Sequence, residues 1–269
     1  MNLSLANSQI SASIRILGVE DSGVSDAGSS SAQDLRGRWG TEAAFSALRA
    51  RRDAVGADLH VLLADLQLPG NAEGAGQKPL IFGVGNSNKY RSVVRDSRFG
   101  DVFAHELGHS LGGGHDIENT IQPGGGVCIA NPGGPNLCPD KGFLFIQELA
   151  PGIVDIDASW RTTMAFPEAC EGPRGVPGDP TASCRREPVF SSGRFDYQNF
   201  GFPGSNLDRD NRIVMSVLVD EVAQYRTALV SPFLFAATSI PVVTRAAGPV
   251  NDVVSATTAT PNYAPFRVT

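Results

Sequence analysis

The chain has 269 residues, 41% of them hydrophobic and 19% charged, with a formal net charge of -6 and a pI near 5.2. These proportions are ordinary for a globular protein and allow one domain with a tail, or two small lobes. The acidic balance excludes a broad electrostatic footprint for nucleic acid, since basic residues cluster no further than pairs such as Arg51 with Arg52 or Arg185 with Arg186.

The first residues, MNLSLANSQISAS, lack the charged start, apolar run and cleavage site of a signal peptide, so either the chain is a mature fragment or export is not encoded here. Ile10, Ala12, Ile14 and Ile16 alternate with polar residues, which predicts a half-buried strand near 10–20. A Gly/Ser/Asp loop from Asp21 to Ser31 precedes one helix carrying Leu35, Trp39, Ala43, Ala44, Ala47 and Leu48. Leu59–Leu66 is an apolar run of interior-strand length, and His60 within it reads as a core or sheet-end histidine. Pro69–Gly76 is a turn-rich link, followed by short strands at Leu80–Gly85 and Tyr90–Asp96. The order strand, helix, then strands and a second helix indicates an α/β domain.

That second helix contains FAHELGHSLGGGHD, with Phe99, Val102, Phe103, Leu107 and Leu111 at helical spacing. His105, Glu106, His109, Gly112, His115 and Asp116 spell H-E-x-x-H-x-x-G-x-x-H-D, and three of the chain's four histidines are in it. Residues four apart share a helix face, so His105 and His109 can offer nitrogens to one metal, with Glu106 beside it. A third ligand six residues on must come from a chain that has turned back, and Gly112 tolerates the positive φ such a turn needs. The expected product is three neutral imidazoles on one zinc ion, with a position open for water.

Residues from Ile117 to about Gly142 are dense in Gly and Pro and read as loop. Asp208 or Asp210 can cap a helix whose Ile213, Val214, Val217, Leu218, Val222 and Tyr225 form an apolar stripe. Asp208, Asp210 and Asn211 form only a turn-like cluster, so structural calcium has no support. The most apolar stretch, from Ala228, is broken by Ser231, Pro232 and Pro241 and is too short for a membrane span. From about Ala236 the chain reads as an extended tail or linker. Four cysteines admit three pairings; local pairing, Cys128 with Cys138 and Cys170 with Cys184, closes two short Gly/Pro-rich loops. Disulfides favour a secreted, extracellular setting over reduced buried thiols, and no C-x-x-C spacing offers a second zinc site.

The motif resembles that of the metzincin zinc endopeptidases, and RTTMAF supplies Met164 for the methionine turn of that clan. Asp116 is similar to the reprolysin, or adamalysin-like, branch. Thr163-Met164-Ala165, CRREPVFSS and DNRIVMSVLVDEVAQYR resemble the bacterial reprolysin-like group that includes peptidyl-Asp metallopeptidases; the likeness spans roughly Ile14 to Arg226. It implies an α/β (α+β) fold with a twisted, mostly parallel sheet, an antiparallel edge strand, the zinc helix, and a loop-rich lower lobe with a C-terminal helix. The catalytic domain is then 1–228, with lobes at about 1–112 and 113–228, followed by a tail at 229–269. An extended protein or peptide substrate would lie along the sheet edge, for which Ile81–Val84 is the expected segment. Relatives with Tyr two residues after the turn methionine differ from this chain, which has Phe166 and no hydroxyl there. Arg161, Arg174, Arg185 and Arg186 are the available cations for an acidic substrate.

Zinc on His105, His109 and His115 implies hydrolysis by an activated water with Glu106 as general base. No G-x-S-x-G elbow competes as a nucleophile site. The rival expectation is a secreted binding or adhesion module in which zinc only staples a loop-rich lobe; Glu106 argues against it, because structural zinc needs no base. Oligomeric state has no signal in the sequence.

Overall fold

The computed structural model of the chain describes residues 1–19, 21–64, 74–79, 90–95, 99–116, 141–150, 153–166, 184–198, 203–204, 209–226 and 263–268. Strand β2 (Leu59–Ala64) pairs in parallel with β4 (Arg91–Arg95), placing His60 opposite Arg91 and Leu62 opposite Val93. Side chains alternate along a strand, so Leu62, Ala64 and Val93 enter a core with Leu35, Trp39, Phe45 and Leu48. Leu59, Val61 and Val94 enter a second core with Leu107, Leu111, Met164, Met215 and Val222. Helices α2 (Ala32–Thr41) and α3 (Ser46–Val55) supply the first core, and α4 (Phe99–Ser110) and α5 (Asn211–Val222) the second. With a helical layer on each face, β2 can be apolar on both faces except at His60.

The single helix expected through Leu48 is two. Helix α2 starts at Ser31, whose hydroxyl accepts from the Asp34 N–H at 3.1 Å, and stops at Glu42, which is extended at φ -72, ψ 144. A 3-10 turn at Ala43–Phe45 then drives Phe45 into the core, and the Arg49 guanidinium donates to the carbonyls of Trp39 at 2.7 Å and Glu42 at 3.1 Å. Those bonds satisfy carbonyls that a continuing helix would have used.

β1 (Ile14–Ile16), β3 (Gly74–Ala75) and β8 (Tyr263–Val268) complete a five-stranded sheet of order β1-β8-β2-β4-β3. The sheet is mixed, not mostly parallel, because β8 runs antiparallel to both β1 and β2. At one edge the two-residue β3 runs antiparallel to β4, in the stretch expected to be a turn-rich link. Ile81–Val84 and the Gly/Pro loop through residue 140 lie outside the described residues.

A smaller sheet holds the β5 (Leu144–Ala150) and β6 (Ile153–Arg161) hairpin with β7 (Arg185–Arg186) parallel to β6. The sequence reading did not anticipate this hairpin, nor the N-terminal helix α1 (Asn2–Asn7). α1 buries Leu5 and is tied to the segment behind the methionine turn: Asn7 donates to the Pro188 carbonyl at 2.9 Å, and the Ser8 hydroxyl accepts the Phe190 N–H at 2.7 Å. Asp210 is the cap of α5, its carboxylate accepting the Ile213 N–H at 3.1 Å. Cys184 is buried and disulfide-bonded, while Cys128, Cys138 and Cys170 lie outside the described residues. Among the described residues no helix is long and apolar enough to cross a membrane.

Candidate metal centre

Helix α4 carries His105 and His109 one turn apart, and the chain leaves it through Gly112, whose φ is +97. The Gly113 N–H bonds the Gly108 carbonyl at 2.9 Å, closing the helix end. A Cβ at Gly112 would lie 2.4 Å from Leu218 Cδ1, so the turn and the packing of α5 both require glycine. Asn211 then holds the returning strand: its Oδ1 accepts the Gly114 N–H at 3.1 Å and its Nδ2 donates to the Gly114 carbonyl at 3.4 Å. Residue His115 is thereby delivered to the other two imidazoles.

The three Nε2 atoms converge, with 2.9 Å between His109 and His115 and 3.2 Å between His115 and His105. His105 Nδ1 lies 2.9 Å from the Thr163 carbonyl and His109 Nδ1 lies 2.8 Å from the Gly113 carbonyl. A carbonyl only accepts, so both Nδ1 atoms carry the proton and both Nε2 atoms present a lone pair. Burial holds all three rings neutral: it drives His105 well below the usual range, His109 to about 4 and His115 to about 2, with neighbouring cations adding to the effect. Lone pairs facing each other at this distance repel unless a cation sits among them. Zinc–nitrogen bonds of about 2.05 Å in a tetrahedron separate nitrogens by about 3.3 Å, close to the spacing found. The residues fit zinc, and they are the only group of its kind among the described residues.

Glu106 is buried beside this cluster, and burial pushes its carboxyl up to about 8, against the Gly76 N–H and the charges of Arg36 and Arg186, which act the other way. Its Oε2 has no hydrogen-bond partner among the described residues. A buried carboxylate oxygen left open next to three ligand nitrogens suits a water molecule shared with the metal.

Beneath the cluster, Met164 is fully buried, and its Sδ would lie 2.4 Å from a Cβ at Gly108, so the methionine turn is in close contact with α4. Asp116 Oδ1 accepts the Phe166 N–H at 2.7 Å, joining the end of the motif to that turn. The Phe166 ring stands edge-on to His115 and His105, with centroids 4.2 and 5.5 Å away, and forms an apolar wall there. His60 is remote from the cluster, buried edge-on against Trp39 at 4.7 Å.

The basic residues separate into two roles. Arg161 is buried in structure, donating to the carbonyls of Ala165 at 2.7 Å and Cys184 at 3.3 Å, and Arg185 pairs with Glu187. Arg186 acts on both His105 and Glu106, while Lys78 acts on His109 and His115 and Lys141 on His115. Arg174 lies outside the described residues. Asp210 and Asn211 are used as helix cap and Gly114 clamp, and Asp208 lies outside the described residues, so calcium gains no support. Sequence reasoning named Thr163 only within the turn pattern and Asn211 only within a turn-like cluster, without their roles, and it missed Arg36 and Lys78; the glycines at 74 and 76 read as a turn.

Residues 2–146 match the family model Reprolysin_5, described as metallo-peptidase family M12. No curated protein matches the chain. A solved chain described as "Structure of a chaperone-substrate complex" is 14% identical with a TM-score of 0.45; the alignment covers 84% of this chain and 30% of that one.

Proposed function

The chain belongs to metallopeptidase family M12, and on that footing we propose that it is a zinc-dependent endopeptidase of the metzincin type, with His105, His109 and His115 as ligands and Glu106 as general base. The observation that carries the proposal is the convergence of three neutral imidazoles beside a buried carboxylate with an open oxygen. Zinc, when bound, polarises the scissile carbonyl and makes water more acidic. Glu106 takes the water's proton and returns it to the leaving amine. The imidazoles are held by Thr163 and Gly113, and Phe166 offers no hydroxyl to the reaction. Gly112, Asp116 and Met164 keep the ligand frame rigid.

A binding module that uses zinc as a staple is less well supported, because nothing in such a role calls for the open oxygen of Glu106. The antiparallel edge strand β3, which runs beside Glu106, is a second proposed docking edge for an extended peptide, alongside Ile81–Val84, which lies outside the described residues. The positive charges of Arg186, Lys78 and Lys141 are felt at the cluster, which favours peptides with acidic side chains near the cleaved bond. The catalytic unit is proposed to be 1–228 completed by Tyr263–Val268, which pairs between β1 and β2, so the expected tail at 229–269 ends within the same sheet, and the disulfide at Cys184 is consistent with a secreted protein.

The test is digestion of a peptide library by the zinc-loaded protein, read by mass spectrometry with and without a chelator. Chelator-sensitive cleavage enriched at acidic positions is the expected result. Absence of cleavage by protein holding one zinc per chain contradicts the peptidase reading.

A further inference from the structure

Glycines 74 and 76 bring the edge strand closer to the zinc helix than any other residue type allows. A Cβ at Gly74 would lie 2.5 Å from Glu106 Oε1, and one at Gly76 would lie 2.5 Å from the Glu106 carbonyl oxygen and 2.7 Å from His109 Cβ. The Gly76 N–H bonds the Glu106 carboxyl group. On the other side, the Arg36 guanidinium, reaching from α2, donates to the Gly76 carbonyl. Gly76 is therefore held between Arg36 and the general base.

We infer that Arg36 is a positioning residue for Glu106: by pinning the Gly76 carbonyl, it keeps the same residue's N–H on the carboxylate and leaves the other carboxylate oxygen directed to water. Three further observations support this placement. β3 is only two residues long, Gly74–Ala75, so its ladder with β4 alone secures little of the segment. The Gln77 side chain accepts the Arg91 N–H at 3.3 Å, which anchors the segment one residue beyond Gly76 but leaves Gly76 itself to Arg36. Arg36 is half-buried, and its bond to the Gly76 carbonyl is likewise partly shielded from water. A charged donor partly withdrawn from water holds a backbone carbonyl more firmly than a solvated one.

This inference rests on Glu106 acting as the base, and its test separates the two. Arg36→Met and Arg36→Lys are compared with wild type for zinc content, kcat, KM and hydrogen exchange at the Gly76 amide. Arg38→Met, two residues along the same helix, is the control: it removes a partly exposed pair with Glu42 and bonds to the Ser29 hydroxyl and the Ala27 carbonyl, none of which reaches Gly76. The expected result for Arg36→Met is a kcat lower by about 10- to 100-fold with KM within about twofold, full zinc content, and Gly76 exchange faster by about tenfold. Arg36→Lys recovers most of the rate, Arg38→Met changes nothing, and in a Glu106→Gln background Arg36→Met has no further effect on rate. Unchanged kcat or unchanged Gly76 exchange in Arg36→Met overturns the inference, as does loss of zinc in parallel with rate. If wild type proves inactive while Gly76 exchange still responds to Arg36, the peptidase reading falls and the placement of Glu106 by Arg36 stands.

Discussion

At the scale of single residues, the metal centre is a set of side chains whose freedom has been removed by backbone groups. His105 and His109 are oriented by the carbonyls of Thr163 and Gly113, and His115 by the return at Gly112. The three-histidine cluster was legible because its spacing is local: a helix repeat and a glycine break can be read from twelve consecutive letters. Thr163 was not legible as a partner, since a carbonyl has no residue signature and lies 58 positions from His105. Gly112→Ala should lower stability by about 1–3 kcal/mol, from a strained positive φ and a clash with Leu218, and weaken zinc affinity as His115 shifts; urea unfolding and zinc titration measure both. Away from the metal, burial and then the charge of Arg52 hold His60 well below 6.5. A histidine with a depressed folded pKa contributes stability that is present above 6.5 and is lost as pH falls towards its folded value. In chelator-treated protein, the stability of wild type should therefore fall below pH 6.5 more steeply than that of His60→Gln, by about 1.4 kcal/mol per pH unit, measured by denaturant unfolding.

At the scale of elements, helices and strands with a clear period were readable and those shaped by distant contacts were not. Leu59–Ala64 and Arg91–Arg95 appear where apolar runs predicted them, and Asp210 caps α5 as its position suggested. The break between α2 and α3 escaped because it depends on Arg49 reaching back to two carbonyls. β3 escaped because two glycines look like a turn until a helix is known to press against them. α1 is short and has no side-chain cap, so its stability comes from what it touches. Its far end is joined to the Phe190 segment through Ser8, whose hydroxyl is buried and also donates to the Ser4 carbonyl. Ser8→Ala leaves the Phe190 N–H without an acceptor and should cost about 1–3 kcal/mol in thermal or urea unfolding, with zinc stoichiometry retained. A change below about 0.3 kcal/mol would show that α1 is not needed to hold this segment.

At the scale of the molecule, a mixed sheet with helices on both faces sets the metal helix α4 between the edge strand β3 and the methionine turn. The α/β class was legible from the order of elements, but the sheet order was not. An antiparallel insertion of Tyr263–Val268 between β1 and β2 joins residues over 200 positions apart, and no local pattern encodes such a pairing. Because three neutral imidazoles converge only in the folded chain, zinc should bind the native state and raise its unfolding temperature, and a chelator should lower it. Equal melting with and without chelator, in protein shown to lose its zinc, would remove the metal from the account of stability. The central claim, that this cluster serves catalysis, is tested most directly by Glu106→Gln. Metal analysis and peptide hydrolysis on the same sample should show one zinc per chain and a kcat at least about 100-fold below wild type. Undiminished hydrolysis by zinc-loaded Glu106→Gln protein would contradict it.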